Sequence, residues 1–80
     1  MPYTYILYSS KLNRFYTGST RKSVEERLEL HLEDHHGFTL KADDWVIVFS
    51  QKNDSIGEAM ILERRIKKRG AGRYLDDLSD

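Results

Sequence analysis

The chain has 80 residues, no cysteine, and equal numbers of basic and acidic side chains, thirteen of each. A chain this short has room for one hydrophobic core, so a single domain over residues 1–80 is expected. The lack of cysteine excludes a disulfide framework and a thiolate metal site, and it favours a reducing, cytoplasmic setting. The longest apolar run, residues 45–49, is far shorter than the roughly 20 residues that a membrane helix needs.

The neutral total conceals a segregation of charge along the chain. Residues 1–24 carry a charge of +4, residues 25–63 a charge of −7 and residues 64–80 a charge of +3. The basic residues of the last segment all lie between Arg64 and Arg73. A local positive face is compatible with this pattern, and nucleic acid is then a candidate partner because its binding releases counterions from phosphates. A basic helix end is also an ordinary solvated surface that suits the helix dipole.

Two short segments at the N-terminus predict an antiparallel β-hairpin. Residues 3–8 and 14–18 are rich in aromatic and β-branched side chains, which are typical of strands. The polar stretch from Ser9 to Asn13 between them is typical of a hairpin loop.

Two capping boxes predict the starts of two helices. Ser23 stands three residues before Glu26, and Ser55 stands three residues before Glu58. In such a box the serine hydroxyl and the glutamate carboxylate each satisfy one unpaired backbone N–H of the first turn.

Between the predicted helices an apolar run is short enough for a buried strand, and Gly70 and Gly72 predict a break before a last short helix. The predicted strands therefore cover residues 3–8, 14–18 and 44–50, and the predicted helices cover about 23–34, 55–69 and 73–78. This order, β-β-α-β-α-α, predicts an α+β fold in which a three-stranded antiparallel sheet is flanked by helices.

Two polar residues interrupt the apolar stripe of the first predicted helix. Val24, Leu28 and Leu32 follow the spacing of an amphipathic helix. Arg27 and His31 occupy the two remaining places on that stripe and lie one turn apart. Either they flank a narrow stripe and keep their polar ends in water, or they are held there for function.

A carboxylate interrupts the stripe of the second long helix. The stripe runs through Ile56, Ala59 and Met60 and then reaches Glu63, after which Ile66 resumes it. Glu63 could be a border residue paired with an arginine at the next position or a lysine one turn further on. It could also bind a cation, because carboxylate oxygens are typical ligands of Mg²⁺ and Mn²⁺. The spacing leaves both interpretations open.

Tyrosine is concentrated in the predicted hairpin, which holds four of the five tyrosines of the chain. Stacking in a core would explain this. If the hairpin loop consists of residues 9–12, Tyr5 lies directly opposite Tyr16, and the two hydroxyls can approach one site.

These residues resemble the GIY-YIG nucleases. Tyr5 and, eleven residues later, the segment Tyr16-Thr17-Gly18 resemble the paired GIY and YIG motifs that name the family. Arg27 and His31 resemble its helix motif, and Glu63 resembles its metal-binding glutamate. Four motifs occur in the right order, each on the predicted element. The likeness covers nearly the whole chain. It points to short members with little beyond the catalytic domain, similar to the catalytic domains of an excision-repair nuclease and of homing endonucleases.

The resemblance implies an endonuclease that hydrolyses phosphodiester bonds with one Mg²⁺ or Mn²⁺ ion and acts on nucleic acid, in the first place DNA. Glu63 would hold the ion, and Arg27 would hold the phosphate, whose geometry a guanidinium fork matches. Tyr5 or Tyr16 would orient or deprotonate the attacking water, and His31 would transfer or position a proton near neutral pH. The expected nucleic-acid contacts are basic or hydroxyl side chains: Ser19, Arg21, Lys22, Arg64, Lys67 and Lys68.

Other functions fit the same residues. A nucleic-acid-binding module could keep the fold without turnover, since several relatives have an asparagine about twelve residues beyond the glutamate and this chain has Leu75 and Asp76 there. A protein-interaction domain could use Trp45 or the basic helix, although the place of Trp45 in an apolar strand is typical of a core. A zinc pair of His31 and His35 lacks clear further ligands. As a nuclease, the chain is expected in DNA repair or recombination, with a protein partner that could supply specificity.

Overall fold

The computed structural model describes residues 1–33 and 42–79, and of residues 30–33 it describes the backbone alone. The predicted order β-β-α-β-α-α is confirmed within these ranges. Its elements are the strands β1 (Tyr3–Ser9), β2 (Arg14–Thr20) and β3 (Val46–Lys52) and the helices α1 (Val24–Glu33), α2 (Ile56–Arg69) and α3 (Ala71–Leu78). No helix of the described ranges is long and apolar enough to span a membrane.

The three strands form one antiparallel sheet in the order β2-β1-β3, so β1 is the central strand. The predicted α+β fold is therefore confirmed. The register of the hairpin differs from the conditional prediction, because Tyr5 lies opposite Gly18 and Tyr16 lies opposite Leu7. β1 continues through Ser9, which pairs with Arg14, and the loop begins one residue later than assumed.

Both predicted capping boxes have a serine that caps its helix. The Glu26 N–H donates to Ser23 Oγ at 3.2 Å, and the Glu58 N–H donates to Ser55 Oγ at 3.1 Å. α2 ends at Arg69 and is capped by Gly70, whose φ of 96° suits a residue without a Cβ.

Three predictions for the C-terminal half are wrong. The apolar run does not form a buried strand, because β3 lies at the edge of the sheet and Val46 and Val48 are 51% and 42% exposed. Gly72 lies inside α3 and does not break the chain; a Cβ there would meet Phe15 Cε2 at 3.3 Å, so close packing explains this glycine. Met60 is 51% exposed, because the row of α2 that packs on the sheet runs through Ala59 and Ile66. Glu63 lies one turn beyond Ala59 on that row.

The sheet buries side chains on both faces. Tyr5 and Leu7 pack with Val24, Ala42 and Trp45 on the face that α1 covers, which confirms the core position predicted for Trp45. Thr4 and Ile6 alternate to the opposite face, where α2 lies, and Thr4 Oγ1 donates to the carbonyl oxygen of Ala59 at 2.7 Å. The central strand is thus anchored to helices on both sides.

Asp44 ties the segment before β3 to the hairpin loop. Its carboxylate accepts hydrogen bonds from Ser9 Oγ at 2.6 Å, from Ser10 Oγ at 2.9 Å and from the Lys11 backbone N–H at 2.9 Å. These hydrogen bonds lower the pKa of Asp44 to about 2, and the bond from Ser9 has the largest effect. The contact accompanies the extension of β1 to Ser9.

We expect Asp44→Asn to lower the melting temperature near neutral pH, because the charged acceptor of three hydrogen bonds is lost. The pKa of Asp44 is lower in the folded than in the unfolded chain, so its contribution is complete above about pH 5 and is lost as the pH falls toward 2. Thermal melts of wild type and Asp44→Asn should therefore converge between pH 5 and pH 2. Asp43→Asn, which removes an exposed ion pair with Lys11, is the control; an Asp44 effect independent of pH would contradict the assignment.

Candidate active site

Tyr5 and Tyr16 lie on the same face of the hairpin, diagonally across the two strands. Their ring centroids are 6.4 Å apart and the rings are inclined by 28°. Tyr5 is 1% exposed, whereas Tyr16 is only partly buried. The register offset therefore still brings the two rings together, because positions two residues apart on a strand share a face.

Gly18 makes room for the Tyr5 ring. It lies opposite Tyr5, and a Cβ at this position would stand 2.6 Å from Tyr5 Oη and 2.8 Å from Tyr5 Cζ. The same Cβ would lie 3.3 Å from the Tyr16 ring. The phenol of Tyr5 thus crosses β2 over the glycine backbone, and any larger residue would displace it.

Arg27 reaches the hydroxyl end of Tyr5 from α1. Its side chain is exposed, and its guanidinium hydrogen-bonds the Tyr5 hydroxyl. Burial raises the pKa of Tyr5 and outweighs the lowering by Arg27, so the Tyr5 phenol is neutral near pH 7. The exposure of Arg27 and its interaction with the Tyr5 hydroxyl are compatible with both interpretations of its place on α1.

Glu63 presents its carboxylate to the same region from α2. Oε1 accepts a hydrogen bond from Ser19 Oγ at 2.7 Å, and Oε2 accepts one from Lys67 Nζ at 2.7 Å. Its side chain is 22% exposed, so water reaches the group without surrounding it. The Glu63 and Arg27 charges act in opposite directions on the pKa of the Tyr5 hydroxyl, which Glu63 raises and Arg27 lowers. Side chains from β1, β2, α1 and α2 therefore interact electrostatically around the Tyr5 hydroxyl, with Tyr5 and Tyr16 on the α1 face of the sheet and Glu63 on the α2 face.

The family model of the GIY-YIG catalytic domain matches residues 1–74. This chain belongs to the GIY-YIG family. Domains of this family have a nuclease-type fold and are generally nucleases that act on nucleic acid. No curated protein and no solved structure matches the chain.

The structure brings together four of the catalytic residues expected from the GIY-YIG motifs, namely Tyr5, Tyr16, Arg27 and Glu63. His31 lies on α1 one turn beyond Arg27, but its side chain is outside the described residues. The alternative zinc pair of His31 and His35 lies outside them as well.

The expected nucleic-acid contacts fall into two groups around the GIY-YIG site. Ser19 and Lys67 both contact Glu63, with the Ser19 hydroxyl also 3.1 Å from the Ala59 carbonyl oxygen. The others are exposed basic side chains, Arg21 and Lys22 between β2 and α1, and Arg64 and Lys68 on α2. The Ser19 to Glu63 contact spans 44 residues, so no local sequence pattern indicated it.

The basic segment near the C-terminus is divided by the helix geometry. Arg64 and Lys67 line a shallow cavity with Glu63 and Met60. Arg65 instead lines a different cleft, together with Gln51 of β3, and Arg69 pairs with Asp77 at 2.9 Å. Only some of the basic side chains of this segment therefore lie beside the candidate active site.

Glu63 is a chemically suitable ligand for a divalent ion. Among the described side chains, those of residues 1–29 and 42–79, no group of three or more acidic or histidine residues could hold a metal, so these residues form no closed cage. Mg²⁺ does not need one, because it keeps several waters and binds through one or two carboxylates. Glu63 is half-buried and already has a cation, the Lys67 ammonium, on Oε2. The residues present fit a single, largely hydrated Mg²⁺ or Mn²⁺.

Proposed function

We propose that this chain is a metal-dependent endonuclease that hydrolyses phosphodiester bonds of nucleic acid, with DNA as the first candidate. The observation that supports this is that a carboxylate, a guanidinium and a second phenol, each from a different element of the fold, act electrostatically on the Tyr5 hydroxyl, with the two phenol rings 6.4 Å apart. Phosphodiester hydrolysis needs these groups: a place for a cation, a clamp for the phosphate and a group beside the attacking water.

In this proposal Glu63 holds one Mg²⁺ or Mn²⁺ ion, in agreement with the fit of the site. When bound, the ion would neutralise charge on the phosphate and on the leaving oxygen. Ser19 acts as a positioning residue, because its hydroxyl bond to Oε1 holds the carboxylate in one orientation.

Arg27 is proposed to hold the phosphate. It is exposed, and a guanidinium has five N–H donors, so its bond to the Tyr5 hydroxyl leaves donors for a phosphate oxygen. Tyr5 then serves as a buried, neutral support that fixes the direction of the guanidinium.

The structure favours Tyr16 over Tyr5 as the group beside the attacking water. Tyr16 is partly exposed and lines an open cavity, whereas Tyr5 is buried and engaged by Arg27. We therefore assign the orientation or deprotonation of water to Tyr16. His31, four residues beyond Arg27 on α1, is proposed to transfer or position a proton near neutral pH.

Lys67 is expected to compete with the metal ion for Glu63. Its ammonium lies 2.7 Å from Oε2, so a cation that binds there must displace it. Lys67→Gln should therefore bind Mn²⁺ about two- to fivefold more tightly than wild type, a modest gain because such half-exposed pairs are weak. Isothermal titration calorimetry or electron paramagnetic resonance of Mn²⁺ would measure the affinity. Lys68→Gln, which removes the same charge at the next position, is the control, and an equal gain in both variants would contradict the competition.

The wider setting of the nuclease is also a proposal. The exposed residues Arg21, Lys22, Arg64 and Lys68 would contact phosphates outside the reacting one. A role in DNA repair or recombination would fit, with a protein partner as the source of specificity. A cytoplasmic setting is proposed because the chain has no cysteine for an oxidising compartment to pair.

The proposal is tested by incubating the wild-type protein at low salt with labelled DNA and RNA of different structures, with Mg²⁺, with Mn²⁺ or with EDTA. We expect cleavage of at least one substrate that requires the divalent ion. Salt-sensitive binding without cleavage under any condition would instead identify a nucleic-acid-binding module of the same family.

A further inference from the structure

A second cavity opens beside the candidate active site at the outer edge of the sheet. It has a volume of about 390 Å³ and is lined by Phe15, Tyr16 and Thr17 of β2, Lys67 of α2 and Ala71 of α3. Tyr16 and Lys67 also belong to the active site, so the cavity continues from it. Its size falls within the roughly 300–1,000 Å³ that is usual for small-molecule sites. The cavity, which we call the stacking pocket, is large enough to admit one nucleotide base.

Phe15 forms a fixed aromatic wall of the stacking pocket. Its ring contacts the ring of Tyr8, with centroids 4.9 Å apart, and a Cβ at Gly72 would meet its Cε2 at 3.3 Å. Neighbours on two sides thus hold the ring, yet Phe15 remains 36% exposed. Lys67, more than half exposed, adds a positive charge at the boundary with the active site. Proteins that bind single-stranded nucleic acid combine an aromatic ring, on which a base stacks, with a nearby cation that contacts a phosphate.

We propose that the stacking pocket binds the base next to the scissile phosphate, stacked on Phe15, with Lys67 on the adjoining phosphate. This inference rests on the proposed function and defines its substrate class. A base inside a duplex is stacked between its neighbours and cannot enter a side pocket, so the nucleotide must be unpaired or drawn out of the helix. The preferred substrates are therefore nucleic acids with an unpaired nucleotide beside the cut, such as overhangs, flaps and junctions.

The test measures binding in the Glu63→Gln background with EDTA, so that cleavage plays no part. The probes are two fluorescent DNA hairpins of the same duplex sequence, one blunt and one with a single-stranded tail. Loss of one base–aromatic stack should weaken binding of Phe15→Leu to the tailed hairpin by about tenfold and change binding to the blunt hairpin little. Phe49→Leu is the matched control, because Phe49 lies on the other edge strand with its ring against Tyr74.

Ala71→Leu is a second variant, which fills the stacking pocket while it leaves Phe15 in place. It should reproduce the loss for the tailed hairpin, and thermal melts should show that each variant is folded. The fluorescence of a 2-aminopurine in the tail should be quenched on binding to the Glu63→Gln protein. The quenching should be weaker with the protein that also carries Phe15→Leu.

Equal affinity of the Phe15→Leu and Phe49→Leu proteins for the tailed hairpin would overturn the inference, as would an equal loss for the blunt one. If the wild-type protein cuts nucleic acid while Phe15→Leu and Ala71→Leu bind normally, the stacking pocket is refuted and the nuclease proposal stands. If the wild-type protein neither binds nor cuts any probe, both are refuted.

Discussion

Glu63→Ala is expected to abolish metal-dependent cleavage, with a fall in the cleavage rate of about a hundredfold or more. The variant should remain folded. In the proposed nuclease no other described carboxylate at the site replaces its role, because Tyr5, Tyr16 and Arg27 supply phenols and a guanidinium. The fold should survive because Glu63 is half-buried, and a salt bridge as exposed as its pair with Lys67 contributes little stability.

The experiment compares initial cleavage rates and Mn²⁺ affinity of wild type, Glu63→Ala and Glu58→Ala. Glu58 is an exposed glutamate of the same helix that lines a different cleft, so its replacement should leave cleavage and Mn²⁺ binding near the wild-type values. A Glu63→Ala protein that cuts at the wild-type rate would refute the assignment of the metal to this carboxylate. If Glu63→Ala loses Mn²⁺ binding but the wild-type protein cleaves no substrate, the result would support Glu63 as a metal ligand and contradict the nuclease proposal.

Gly18→Ala should damage both stability and activity, because the added methyl group has no place to go. It would stand 2.6 Å from Tyr5 Oη, and Tyr5 is buried in the core against Leu7 and Trp45. Overpacking of a core costs ~1–3 kcal/mol, which corresponds to a fall in melting temperature of about 5–20 °C for a domain of this size. Cleavage should fall with it, since displacement of Tyr5 also moves the support of Arg27.

Gly57→Ala is the control for this substitution, because a Cβ at Gly57 in α2 meets only Ser55 Oγ, at 3.7 Å, and alanine favours a helix. Its melting temperature should equal or exceed that of wild type. In the double variant Gly18→Ala with Tyr5→Phe, loss of the nearest clashing atom should restore part of the stability but not the cleavage. A Gly18→Ala protein with normal melting and normal activity would show that Tyr5 has room to move without consequence.

Several residues of the candidate site can be identified from local patterns of the sequence. Arg27 and Glu63 interrupt apolar stripes at helical spacing, and the family motifs name the two tyrosines. The network that joins them cannot be identified in this way. Ser19 reaches Glu63 across 44 positions, and Phe15 forms a pocket wall only because α3 packs Gly72 against it. Contacts between distant segments depend on how the elements pack, and the periodicity within one element carries no information about them.

The sequence by itself determined the order of strands and helices and both serine caps, because helix caps and amphipathic periods are interactions within a few residues. It left the hairpin register open. The tertiary structure decided it through Asp44, which binds the hairpin loop from 33 to 35 positions away and accompanies the extension of β1 to Ser9. With Ser9 paired to Arg14, Gly18 lies under Tyr5, and the Tyr5 phenol can reach Arg27. Local interactions thus specify which elements form, while long-range packing specifies which side chains meet.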